Sequence, residues 1–242
     1  MLHIDILTIF PEVVTPYAHA AMLGRAQKNK LIQIRAHQLR DYSADKKHHK
    51  VDDTPYGGGP GMIMTVQPFD AALRKIRLRK KLFSRVVPKT HVVLTAAYGK
   101  PFTQADAARL ALYDQVLFLC GRYEGIDHRV EEAFVDEVFS IGPYVLTGGE
   151  LPALVMTDAI ARNIPGVLGN QETLAEESHA SSGWLEYPQY TKPERYIVEP
   201  FPGEKKRTSE ELRVPAELLS GNHKKIATWR SAQAFKRSSR EE

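Results

Sequence analysis

Short apolar runs, separated by polar stretches marked with glycine and proline, recur along the chain. Leu2 to Phe10 partly alternates and stops at Pro11, the pattern of a strand. Glu12 to Lys28 reads as a helix broken or kinked near Pro16, and Leu31 to Ala36 as a second strand. Phe69, Leu73 and Ile76 stand at helical spacing and predict a core-facing stripe. His91–Thr95 and Val116–Cys120 predict buried strands, with a short helix over Asp106–Tyr113 between them. An acidic helical segment from Asp127 to Glu132, a short strand over Val138–Ile141 and a helix over Glu150–Asn163 follow. Strands alternating with helices imply an α/β fold with a mainly parallel sheet. Ligands of such sheets bind at the carboxyl ends of the strands, where the loops after Thr95, Cys120 and Ile141 would meet.

The pattern changes after Gly169. Residues 170–183 are polar and acidic and read as a flexible linker. Trp184 to Ser220 is rich in proline and poorly periodic. A last helix carries Lys224, Lys225, Arg230, Lys236, Arg237 and Arg240, a basic face fit for phosphates. The expected organisation is therefore a cofactor-binding domain over 1–169, a linker over 170–183 and a small helical domain over 184–242.

Composition narrows the class without naming it. With 242 residues, 43% hydrophobic and 26% charged, the chain is of ordinary globular type. A formal charge of +4 permits a polyanionic partner but does not demand one. Basic residues from Arg74 to Arg85, with no acid between Asp70 and Asp106, read equally as a solvated face or a phosphate-facing one. A single cysteine excludes an internal disulfide framework and fits a reducing cytoplasm. The opening MLHIDILTIFPE lacks a basic leader and a cleavage site, so it reads as a strand rather than a signal peptide. No apolar stretch is long enough to span a membrane.

Candidate chemistry lies in the glycine-marked loops. The stretch from Cys120 to Pro152 holds Gly121, Gly125, Gly142, Gly148 and Gly149, where backbone groups can approach a ligand closely. Val51 to Met62, VDDTPYGGGPGM, forms a rigid loop with open N–H groups. It is no P-loop, because Met62 stands where a lysine is needed after Gly61, and no dinucleotide fingerprint, because the third glycine is missing. Taken alone, it reads best as a structural turn. Cys120 closes an apolar strand and reads as an inert core thiol. His48 and His49 lack a ligand cluster, so no metal site is assigned. Trp229 reads as a packing anchor. Two other classes stay open on residues alone: a non-catalytic RNA-binding protein, and a nucleotide-binding regulator or NTPase.

The motifs GRYEGID, SIGPYVLTGGELPA, VDDTPYGGGPGM, ARNIPGVLG, YTKPE and VPAELLSGNHKKIATWR occur in one order over nearly the whole chain. In this they closely resemble the bacterial tRNA (guanine-N1)-methyltransferases of the SPOUT superfamily. The resemblance implies a deep trefoil knot around S-adenosyl-L-methionine and methylation of N1 of guanine at position 37, next to the anticodon. It implies a cofactor pocket built from Tyr98, Gly99, Gly121, Tyr123, Glu124 and Gly125, together with Ile141, Gly142, Tyr144, Val145, Leu146, Gly148, Gly149 and Pro152. Glu124 is expected to face the cofactor's positive charge. Asp53, Gly57, Gly58, Gly59, Pro60, Gly61 and Ser178 are expected beside the substrate. Arg162 aligns with an arginine near the reacting base; taken alone it reads as a helix-end charge. The family linker carries Glu-Asp-Ser, and this chain carries Glu176-Glu177-Ser178, so Glu177 takes the place of the aspartate as general base, with Glu176 its competitor. The resemblance further implies tRNA and a second copy of the chain as partners, with neither membrane nor DNA. Mg2+ is a family expectation only. The segment Arg195 to Arg213 is longer than the family pattern, and an Arg-Thr-x-x-x-Arg-Pro extension expected after Trp229 does not occur before Glu242. A SPOUT enzyme modifying another RNA position is the nearest alternative.

Overall fold

The computed structural model describes residues 1–77, 87–169, 178, 185–200 and 209–238. The chain divides into two compact units, Met1–Gly169 and Asn170–Glu242.

The first unit is built on a five-stranded sheet in the order β2-β1-β6-β5-β7, with every pairing parallel. Its strands are β1 (Leu2–Thr8), β2 (Ile32–Gln38), β5 (Thr90–Pro101), β6 (Gln115–Cys120) and β7 (Glu137–Ser140). Two-residue strands β3 (Asp52–Asp53) and β4 (Ile63–Met64) close the glycine-rich loop as an antiparallel pair. All six residues of β6 are buried, as expected of a central strand covered on both faces. Val116, Phe118 and Cys120 pack on one side with α1 (Pro11–Ala18), α2 (Ala21–Lys28), α4 (Gln104–Leu110) and α6 (Glu150–Arg162). Leu117 and Leu119 pack on the other with α3 (Val66–Ile76) and α5 (His128–Phe134). Phe69 and Leu73 are buried on α3 and Ile76 packs against them, the stripe read from the sequence.

Three elements differ from the sequence reading. Glu12–Lys28 is two helices, α1 and α2, and Pro16 lies inside the first. The break falls at Ala20, which is extended, and Ala21 has φ +41°. Beyond Thr95, β5 does not end. Thr95 and Lys100 both pair with Phe139, so residues 96–99 form a bulge in one long strand. Helix α4 starts earlier than expected because Thr103 and Asp106 form a reciprocal cap. Burial pushes the Asp106 carboxyl up, but hydrogen bonds from Thr103, Lys100 and Arg109 prevail and hold it at about 2.

In the second unit, β8 (Arg195–Val198) and β9 (Glu210–Arg213) form an antiparallel hairpin, followed by α7 (Ala216–Leu219) and α8 (His223–Ser238). The sequence reading expects only helix in this unit; β8 and β9 are largely exposed, and β9, Glu-Glu-Leu-Arg, carries no apolar alternation to mark a strand. The ring of Trp229 meets that of Tyr190 edge-on at 6.1 Å, Arg230 covers Tyr187, and Ser238 Oγ accepts from the Leu185 N–H. Trp229 is a packing residue here.

Candidate active site

A cavity of about 240 Å³ opens at the carboxyl ends of β5, β6 and β7. Its walls come from the β5 bulge, from residues 121–125 after β6, from the end of β7 and the loop after it over residues 139–149, and from Pro152 of α6. The position follows from the parallel sheet, which brings these loops to one edge.

Each loop is held by its own backbone. The Gly149 N–H donates to the Gly121 carbonyl at 3.0 Å, joining the loop after β7 to the loop after β6. A Cβ on Gly149 would lie 2.1 Å from Thr95 Oγ1 and 2.8 Å from Cys120 Cα, so only glycine fits between the strands. Gly99 is equally constrained: a Cβ there would lie 2.6 Å from the Phe139 carbonyl carbon. In the third loop, Ser140 Oγ donates to the Gly142 carbonyl and the Tyr144 N–H donates to the same oxygen.

Of the expected cofactor residues, Tyr98, Gly121, Tyr123, Glu124, Gly125, Ile141, Gly142, Tyr144, Val145, Leu146, Gly148, Gly149 and Pro152 all line the cavity. Gly99 does not; it closes the bulge behind the wall. Sequence reading missed Thr95, Ala96, Ala97, Arg122, Phe139, Ser140 and Thr147, which also line it. Ala96 and Ala97 lie in the β5 bulge, beyond the apolar run His91–Thr95 that marks the strand in the sequence. Arg122 sits inside GRYEG, but a charged residue between glycine and tyrosine reads as loop surface.

The glycine-rich loop abuts this cavity. Gly57, Gly58, Gly59 and Gly61 have positive φ. A Cβ on Gly61 would lie 2.5 Å from Glu124 Cγ, and the Glu124 N–H donates to the Met62 carbonyl at 3.1 Å. Met64 receives the Arg122 N–H on its sulfur and bonds residues 125 and 127 through its backbone. Asp53, at the loop's start, is exposed; the Thr54 N–H and then Lys50 draw its carboxyl below the usual range.

Local electrostatics separate reactive from inert groups. Burial, and then the Glu150 charge, push the Cys120 thiol well up, so it stays protonated within the core. Partial burial and a 2.5 Å hydrogen bond to Glu131 push the Tyr98 phenol up to about 12. Among the described residues, no three His, Cys, Asp or Glu side chains cluster to hold a metal ion, and His49 bonds the Arg40 carbonyl.

Of the two expected catalytic residues, Arg162 is described and Glu177 is not. Arg162 is half-buried at the end of α6 and does not line the cavity. It stands 12 residues beyond Glu150, about 18 Å along the helix. Glu176 and Glu177 lie outside the described residues. Ser178 is exposed in a turn, its Oγ accepting the Glu186 N–H at 2.9 Å.

The model of one protein family, described as tRNA (Guanine-1)-methyltransferase TrmD, matches residues 2–242. The chain belongs to this family. It is 49% identical over 234 residues to a protein of Heliobacterium modesticaldum named tRNA (guanine-N(1)-)-methyltransferase, covering 97% of this chain and 80% of the relative. A protein of the same name from Ruminiclostridium cellulolyticum is 45% identical over 233 residues, covering 96% of this chain and 91% of the relative. Family membership gives the cavity a candidate occupant, S-adenosyl-L-methionine, and the walls fit it. They combine five glycines, Gly121, Gly125, Gly142, Gly148 and Gly149, with one carboxylate, Glu124.

Proposed function

We propose that the chain transfers a methyl group from S-adenosyl-L-methionine to N1 of guanine at position 37 of tRNA. The observation that carries this reading is the glycine-walled cavity, in a chain that matches the methyltransferase family from end to end. The test is calorimetry with S-adenosyl-L-methionine and with ATP. The reading expects saturable binding of the first alone; binding of ATP alone would point to a nucleotide-binding regulator.

The chemistry sets what the side chains must do. Guanine N1 is a poor nucleophile until its proton leaves, and a carboxylate within hydrogen-bond reach can take it. Glu177 is assigned that task. Charge then spreads toward O6, where a cation stabilises it, the task assigned to Arg162. S-adenosyl-L-methionine supplies the already activated methyl group. Glu124 faces the donor's positive charge, and the loops over 121–125 and 141–149 hold the adenosine. Magnesium stays a family expectation with no step assigned to it.

The reading includes a deep trefoil knot formed by the segment that returns from β7 to α6. Its support is the Gly149 backbone, which passes against Cys120 and bonds Gly121 although β7 is the sheet's edge strand. An experimental structure tracing residues 119–152 without threading would remove the knot.

Two copies complete the active site. Arg162 lies too far along α6 to serve the cavity of its own chain, so a second copy presents it. Leu151 and Val155 are exposed one turn apart on α6, and Val13 and Tyr17 are exposed on α1, where the Tyr17 hydroxyl donates to Asp158. This apolar face fits a second copy. Sedimentation should find a dimer, and Val155→Glu should yield monomers without methyl transfer; a fully active wild-type monomer would refute the shared site.

The second unit binds tRNA in this reading, and the enzyme works in the cytoplasm. Helix α8 has five described Lys and Arg residues and no acid. Neutralising Lys236, Arg237 and Arg240 together should weaken binding of all tRNAs alike and lower the salt slope by roughly 2–3. An unchanged slope would remove this face from the RNA interface. Arg240 lies outside the described residues.

A further inference from the structure

Thr8, Arg122 and Glu150 meet beside the cavity, and the mechanism above uses none of them. Glu150 is the first residue of α6, with its side chain 1% exposed. Its Oε1 accepts from Thr8 Oγ1 at 2.5 Å, and Arg122 Nε donates to both carboxylate oxygens at 3.2 and 3.0 Å. Arg122 Nη1 donates to the Thr147 carbonyl at 3.2 Å, and the guanidinium lies 4.6 Å from the Phe10 ring centroid. A Cβ on Gly148 would lie 2.2 Å from Arg122 Nε, so the chain after Thr147 runs directly over the guanidinium. One arginine thus ties the end of β1, the loop after β6 and the loop after β7.

We propose that the Arg122–Glu150 pair is the positioning device of the methyl-donor cavity, fixing residues 147–149 against residues 121–125. This rests on the functional reading above. Stability alone does not call for such a pair, because apolar residues of similar volume commonly replace a buried ion pair at no loss. Apolar packing lacks direction, however. The guanidinium fork holds the Thr147 carbonyl and the Glu150 carboxylate at once, which sets the orientation of the backbone presented to the ligand. Lysine keeps the charge but cannot make both bonds in that geometry.

The experiment compares wild type, Arg122→Lys and the double variant Arg122→Met/Glu150→Met in S-adenosyl-L-methionine calorimetry and thermal melting. The double variant should melt at or above the wild-type temperature yet bind the methyl donor at least about tenfold more weakly, a loss of ~1.4 kcal/mol or more. A double variant that folds and binds like wild type overturns the proposal. Should the double variant not fold, Arg122→Lys decides: weaker binding at an unchanged melting temperature supports positioning, and unchanged binding overturns it. Wild-type protein that binds no S-adenosyl-L-methionine would sink the functional reading itself, whereas binding by wild type and variants alike sinks only this inference.

Discussion

Glu177→Gln should lower the single-turnover rate of methyl transfer by ~10²–10⁴-fold, the usual loss of a general base, while the affinity for S-adenosyl-L-methionine should hold. Glutamine keeps the size and the hydrogen-bonding oxygen but cannot accept the N1 proton at neutral pH. The family order Glu-Asp-Ser against Glu176-Glu177-Ser178 motivates the choice. A glutamate carries its carboxylate on one more methylene, so the backbone that delivers it must sit differently. Aspartate is the residue that the family order carries at this position. Glu177→Asp should therefore keep much of the rate. If Glu176→Gln does the damage instead, the register is wrong by one residue. If neither glutamine matters, the proton leaves by another route and the carboxylate assignment fails.

Gly149→Val should reduce S-adenosyl-L-methionine affinity by roughly 10- to 100-fold. Two of the atoms that a Cβ would meet belong to backbone, Cys120 Cα and the Gly121 nitrogen, and cannot rotate away as a side chain would. Overpacking of this kind costs typically ~1–3 kcal/mol, and each ~1.4 kcal/mol is tenfold in affinity. The cost falls on the bond between Gly149 and Gly121 that joins two walls of the cavity. Thermal melting of the variant separates a displaced loop from an unfolded chain. Wild-type affinity in a folded Gly149→Val protein would mean that the cavity lies elsewhere.

The sheet is legible because Val116–Cys120 of β6 is an unbroken apolar run and the neighbouring strands are short apolar runs between helical periods. Where local sequence and tertiary packing disagreed, reading failed. The β5 bulge is set by Gly99 lying on the Phe139 backbone, a contact some 40 residues distant that no window of sequence displays. Pro16 marked a kink, yet the chain breaks at Ala20, where nothing in the residue types signals an extended backbone. In the site, glycine loops announced themselves, because backbone approach demands glycine. Arg122 and Glu150 did not, because a buried ion pair looks in sequence like any two surface charges. Arg162 is singled out by motif alone; in the structure it lies at the end of α6 and does not line the cavity.

The measurement that bears most directly on the account is the position and chemistry of the modified nucleotide. Unmodified tRNA transcripts bearing guanine at position 37 are incubated with the protein and S-adenosyl-L-methionine carrying a labelled methyl group, then digested and mapped by mass spectrometry. The account predicts a single N1-methylguanosine, at position 37, and none when that guanine is replaced. Label at another nucleotide or on another guanine atom, or no transfer by protein that binds both ligands, would contradict it.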